Sequence, residues 1–147
     1  FSKARALAGA RLGMAFAQPA VIDLLNRIKP PYNINQLTQK AALDCLVQTE
    51  RFRTQVAEIV EERGKLSAVL AGLPLVTKVF PSAANFVLVR FRDPYLVYRR
   101  LTEQGTILRD RSAAVAGCLR ITVGTPAENL KLIEQLKRIE NEENPVY

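Results

Sequence analysis

A long stripe of apolar residues at helical spacing gives way at Pro74 to short runs of a different texture, and that change restricts what the chain can fold into. Ahead of Pro74, apolar positions recur every three or four residues through Ala42, Cys45, Leu46, Phe52, Val56, Ile59, Val60, Leu66 and Leu70. This is the pattern of a helix with one buried stripe. Thr38 is read as its N-cap, Gly72 and Pro74 end it, and a stretch of this length implies a break near Gln48-Thr49. Beyond Pro74 come short runs rich in β-branched and aromatic residues. Leu75 to Phe80 and Phe86 to Phe91 read as strands, Asp93-Pro94 opens a helix through Gln104 that Gly105 closes, and Thr106 to Arg109 and Cys118 to Val123 read as two more strands. Thr125-Pro126-Ala127-Glu128 is a helix start, with Thr as cap, Pro in the first turn and Glu completing a capping box. The helix that follows is expected to turn Leu130, Ile133 and Leu136 inward, and Glu140 to Tyr147 to fray. Strand, strand, helix, strand, strand, helix predicts a small two-layer α+β domain with helices on one sheet face.

The opening segment, Phe1 to Gly13, is rich in Ala and Gly. Leu12 to Ala17 reads as a short strand, Pro19 opens an amphipathic helix carrying Val21, Ile22, Leu24, Leu25 and Ile28, Pro30-Pro31 stops it, and Tyr32 to Leu37 is an irregular connection. The chain is therefore expected to divide at residues 1–37, 38–73 and 74–147, the middle part being a helix that links two domains. It begins with Phe1 and shows no signal-peptide pattern, which is read as a start inside a longer protein.

Composition narrows the chemistry. There is no histidine in the 147 residues, which removes His-based triads, His general bases and His metal ligands from this chain. Cys45 and Cys118 form no CxxC pair and are too few for a structural zinc site or a disulfide scaffold, which fits a reducing, cytoplasmic setting. No metal is expected. The net charge of +7 invites a nucleic-acid reading. Its arrangement argues against one: signs are mixed through Glu58, Glu61, Glu62, Arg63 and Lys65, and no aromatic residues alternate with the basic ones. No apolar run approaches the length of a membrane span.

Three clusters could carry chemistry. Ser2-Lys3 precedes Ala8-Gly9-Ala10-Arg11-Leu12-Gly13. A lysine on a small-residue loop can condense with an aldehyde, an arginine can grip a phosphate through two parallel hydrogen bonds, and Ser2 can donate to the same phosphate. An aldehyde that is also a phosphate ester describes pyridoxal phosphate. The plainer alternative is that Lys3 and Arg11 are solvated loop residues. In the second cluster, Ile107-Leu108-Arg109-Asp110 precedes Cys118-Leu119-Arg120-Ile121-Thr122-Val123-Gly124-Thr125, and strand alternation puts Arg120 opposite in facing to Leu119 and Ile121, toward either solvent or a pocket. The third is Asn85, which follows Pro81-Ser82-Ala83-Ala84 and is either a turn residue or a pocket residue.

These stretches, with Phe1-Ser2-Lys3-Ala4, Pro31-Tyr32-Asn33 and Ser82-Ala83-Ala84-Asn85-Phe86, resemble the C-terminal portion of the fold type I pyridoxal-phosphate aminotransferases. The Leu-Arg-Asp and Cys-Leu-Arg-Ile-Thr-Val-Gly pair points to the histidinol-phosphate branch. The resemblance implies that Lys3 is the Schiff-base lysine and proton carrier and that Ser2 and Arg11 bind the cofactor phosphate. It implies that Arg120 binds the α-carboxylate of glutamate or the phosphate of histidinol phosphate, with Arg109 assisting. Asn85 and Tyr32 would line the substrate region, Tyr32 near the interface of a homodimer. The implied partners are histidinol phosphate and glutamate or 2-oxoglutarate, with no nucleic acid and no membrane. Family members commonly carry an aromatic residue and a Gly where this chain has Arg5 and Ala6. They also draw the carboxylate on the pyridine nitrogen, the contacts to the cofactor ring and a phosphate-holding helix N-terminus from sequence ahead of the lysine, so the chain alone is expected to turn over little or nothing. An aromatic aminotransferase, a threonine-phosphate decarboxylase and a non-catalytic basic binding module are the competing readings.

Overall fold

The computed structural model describes residues 1–3 and 5–143. The chain forms two compact units, Phe1–Val56 and the residues from Ala57 onward.

The first unit holds a 3-10 turn at Ala8–Ala10, helix α1 at Pro19–Ile28, helix α2 at Gln36–Val47 and the start of helix α3, Thr49–Ala71. Pro19 opens α1 and the chain is already extended at Lys29, ahead of Pro30-Pro31, as expected. Leu12 to Ala17 is not a strand: a strand exists through its ladder, and no described segment pairs with this one, leaving Met14 and Phe16 exposed. The N-cap of α2 is Asn35 rather than Thr38; its side chain accepts the Thr38 N–H at 2.8 Å, so the helix starts two residues before Thr38. The Thr38 hydroxyl instead donates to the Ala10 carbonyl at 3.4 Å. The break between α2 and α3 falls at Gln48, where ψ turns to 52°. Among the described residues of this unit only Ala42 is a buried hydrophobic residue, while Leu24, Ile28, Leu37, Leu43, Leu46 and Val47 lie exposed.

The second unit carries the C-terminal part of α3, strands β1 (Val76–Val79), β2 (Phe86–Phe91), β3 (Arg109–Asp110) and β4 (Cys118–Thr122), and helices α4 (Pro94–Glu103) and α5 (Pro126–Glu143). The sheet is antiparallel in the order β1-β2-β4-β3. β2 alternates strictly: Val87, Val89 and Phe91 are buried and Phe86, Leu88 and Arg90 are half-buried on the opposite face. With Leu119 and Ile121 of β4 they form a core closed by Leu66 and Leu70 of α3, Val97 and Leu101 of α4, and Leu132, Leu136 and Ile139 of α5. This is the expected α+β order and layering.

Three details differ from expectation. Pairing at β3 begins at Arg109 rather than Thr106, because Thr106 closes α4: its N–H donates to Leu101 O at 2.8 Å and its hydroxyl bonds Gln135 at 2.6 Å. The inward stripe of α5 runs through Asn129, Leu132, Leu136 and Ile139, with Ile133 at its margin, and Leu130 is exposed. Val60 of α3 likewise faces out. Residues 140–143 continue α5, and the rest of the tail expected to fray lies outside the described residues.

The β4–α5 corner is tightly filled. Asn129 is buried; its side chain accepts the Gly124 N–H at 3.0 Å and donates to Glu62 of α3 at 3.0 Å. A Cβ on Gly124 would stand 2.9 Å from the Glu128 Cβ. The capping box is formed, with the Glu128 carboxylate accepting the Thr125 N–H at 2.7 Å. Among the described residues no helix is long and apolar enough to cross a membrane.

Candidate active site

In the first unit, Ser2 is half-buried and Lys3 is exposed. The Lys3 backbone is held by the Ala6 N–H, which donates to Lys3 O at 2.9 Å, and by Leu7 N–H on Phe1 O at 3.1 Å. The Lys3 ammonium makes no ion pair or hydrogen bond among the described residues, so its side chain is free to meet a ligand. Arg11 ends the 3-10 turn in the left-handed region at φ 52°, and its guanidinium donates back to Ala8 O at 3.3 Å. Tyr32 follows Pro31 at φ 55° and is exposed. Among the described residues the non-glycine residues at positive φ are Ala6, Arg11 and Tyr32. Two of these are candidate residues, and the third, Ala6, closes the loop after Lys3 by donating its N–H to Lys3 O.

In the second unit, β3 and β4 bring the two later arginines together. Arg109 is the direct register partner of Arg120, so both project from the sheet face opposite the helices. Two like charges opposite each other destabilise a ladder unless something negative lies between them. Arg120 is half-buried; its Nε is buried without a hydrogen-bond partner among the described residues, and its guanidinium lies 5.0 Å from the Phe86 ring centroid. An unpaired guanidinium N–H beside a second arginine is a donor set chemically suited to an anion. Next to Arg109, the Ser112 backbone N–H and hydroxyl hold the Asp110 carboxyl below the usual carboxylate range.

Asn85 is half-buried at the head of β2, where its carbonyl accepts the Val123 N–H at 2.9 Å. Its loop is braced twice: the Ser82 hydroxyl turns back on Phe86 O and accepts the Ala84 N–H, and Arg63 of α3 donates to Ala84 O at 2.8 Å. Ser2, Lys3, Arg11 and Tyr32 thus belong to one unit and Asn85, Arg109 and Arg120 to the other. The sequence reading missed Phe86 and Arg63. Phe86 could have been found by alternation, since it shares a strand face with Leu88, the register partner of Arg120. Arg63 left no local sign, because its acceptor is distant along the chain.

Residues 1–136 match the family of class I and II aminotransferases. The chain belongs to that family. This aminotransferase chain is 49% identical over 140 residues to the histidinol-phosphate aminotransferase of Bacteroides fragilis and 46% identical over 140 residues to that of Parabacteroides distasonis. Each alignment covers 94% of this chain and 41% of the relative, so the chain spans about two fifths of the relatives' length. Among solved structures, a decarboxylase from Sulfurospirillum multivorans superposes with a TM-score of 0.74 at 30% identity, covering 90% of this chain and 40% of that one. The histidinol-phosphate aminotransferase of Sinorhizobium meliloti, solved with pyridoxal-5'-phosphate, superposes with a TM-score of 0.81 over 97% of this chain and 40% of its own. At 24% identity, that second likeness speaks to the fold alone. The fold is that of fold type I aminotransferases.

Proposed function

We propose that this chain is the C-terminal part of a pyridoxal-phosphate-dependent aminotransferase that exchanges an amino group between histidinol phosphate and 2-oxoglutarate in histidine biosynthesis. The observation that carries the reading is the Arg109–Arg120 pair with its orphaned Nε, a cationic fork suited to a phosphate or a carboxylate. Both amino-group donors, histidinol phosphate and glutamate, are anionic, so a fixed guanidinium serves them better than a titrating base. The names of the Bacteroides and Parabacteroides relatives support the substrate.

The first unit's donor set fits the cofactor: an amine with an exposed side chain on an anchored loop, a hydroxyl beside it and an arginine at the following turn. Lys3 would hold the cofactor's aldehyde carbon, and Ser2 and Arg11 its phosphate. When bound, the cofactor supplies the electron sink that stabilises negative charge at the substrate Cα. Once the substrate's amine has displaced it from the aldehyde carbon, Lys3 Nζ would be the base that takes the substrate Cα proton and gives it up again. Arg120 and Arg109 fix the anionic end of the substrate, and Asn85 and Tyr32 border it. No histidine is needed, because one amine does the proton transfer.

In this reading the chain contributes residues 1–37 to the large cofactor-binding domain, residues 38–73 as the linking helical segment and residues 74–147 as the small domain. The protein is a cytoplasmic homodimer, and the chain alone is inactive. The exposed apolar residues of α1 and α2 support a cover supplied by the remainder of the protein or by a second copy.

The test is made on the full-length enzyme. Lys3→Ala is expected to abolish the cofactor's visible absorption band and turnover. Histidinol phosphate is expected to outperform aromatic amino acids and threonine phosphate as amino donor. A Lys3→Ala enzyme that keeps both the band and turnover, or a preference for another donor, overturns the reading.

A further inference from the structure

We propose that Arg5 is a positioning residue for Lys3, tying the loop that carries the amine to the junction of α2 and α3. The inference rests on the role given to Lys3 above.

Arg5 is half-buried and its guanidinium has partners on two helices, unlike the exposed Lys3 two residues before it. Its Nη1 donates to the Cys45 carbonyl at 2.7 Å. Cys45 lies in the last turn of α2, where carbonyls lack intrahelical partners and a cation is favoured. The Cys45 thiol answers by donating to Arg5 O at 3.9 Å. On the other side of the Gln48 break, the Arg5 guanidinium lies 4.0 Å from the centroid of Phe52, in α3. One side chain therefore grips both helices where they part. The charged groups that border it are Asp44 and Arg51.

The loop transmits that grip to Lys3. Ala6, next to Arg5, sits at φ 54°, a conformation an L-residue keeps only when its surroundings impose it, and its N–H closes on Lys3 O. The backbone of Lys3 is thus anchored from its C-terminal side while its side chain stays free. An amine that must hold one carbon and then carry a proton between two others needs both properties.

The experiment uses the full-length enzyme loaded with pyridoxal phosphate, comparing Arg5→Ala, Arg5→Lys and Phe52→Leu with wild type. Three quantities are read: the cofactor dissociation constant, the pH midpoint of its visible band, and kcat separately from KM. Arg5→Ala is expected to weaken cofactor binding and move the midpoint by half a unit or more. It should also lower kcat about ten- to a hundredfold with KM changed by less than about threefold. Arg5→Lys, which keeps the charge, restores part of each effect, and Phe52→Leu shifts the midpoint in the same direction as Arg5→Ala. If Arg5→Ala does not fold, the two milder variants decide. Wild-type midpoint and cofactor affinity in folded variants overturn the proposal, as does a loss of thermal stability alone. If Lys3→Ala removes the band while the Arg5 and Phe52 variants change nothing, the tether fails and the aminotransferase reading stands. If Lys3→Ala leaves band and turnover intact, that reading fails first.

Discussion

Arg109 and Arg120 face each other across β3 and β4 as direct register partners, and the buried Nε of Arg120 has no acceptor among the described residues. Evenly matched cations at that spacing oppose strand pairing, by about 0.2–1 kcal/mol in exposed sheets. An anion held between them, as the proposed substrate role requires, would remove that penalty. Arg109→Ala in the full-length enzyme is therefore expected to leave thermal stability unchanged or slightly raised while weakening binding of the phosphorylated donor. Arg120→Ala should cost about 2–5 kcal/mol of transition-state stabilisation in kcat/KM, and Arg120→Lys should recover little of it, because an ammonium cannot reproduce the planar fork. A drop in melting temperature from Arg109→Ala, with donor binding intact, would contradict this account.

Phe86 is expected to act through Arg120. Its ring lies under the guanidinium, and such a contact is worth about 0.5–2 kcal/mol. Phe86→Leu keeps the apolar volume and should raise KM for histidinol phosphate severalfold with a smaller change in kcat. Steady-state kinetics on the full-length enzyme check this.

The phase of α5 gives a stability contrast. Leu136 is fully buried and Leu130 is exposed. Leu136→Ala is expected to destabilise by about 2–5 kcal/mol and Leu130→Ala by less than about 0.5 kcal/mol. Denaturant unfolding of the full-length protein measures both.

The acid limit of the second unit depends in part on the corner at Thr125. The Thr125 backbone N–H and hydroxyl hold the Glu128 carboxyl below its ordinary value. A carboxyl lowered on folding contributes stability that is present above its unfolded value and is lost as pH falls through the folded one. Carbon-detected NMR titration should find Glu128 titrating below ordinary glutamates. In Thr125→Ala, which loses the hydroxyl and keeps the backbone donor, it should move part of the way back.

Much of this was legible in the sequence for local reasons. Phe86–Phe91 alternates because one sheet face is buried, Pro94 and Gly105 bracket α4, and Gln48 interrupts the helical stripe as its length demanded. The misreadings share a different cause. Leu12 to Ala17 has a strand's composition without a strand's partner, Thr106 was claimed by α4 and Gln135, and α5 took its phase from the buried amide of Asn129 rather than from Leu130. Most candidate residues stood out as clusters of reactive or charged side chains, and the resemblance supplied their roles and added Tyr32. The contacts that hold some of them in place, Arg63 on Ala84 and Arg5 on Cys45, join residues far apart in sequence, and no local pattern encodes them.

Gly124 lies four residues beyond Arg120 and has no room for even one carbon on its α-position. A methyl group there would crowd Glu128, whose carboxylate accepts the Thr125 N–H, and disturb the first turn of α5. The bend from β4 into α5 thus tolerates no side chain at its tightest point, and any substitution there has to be absorbed by the start of the helix.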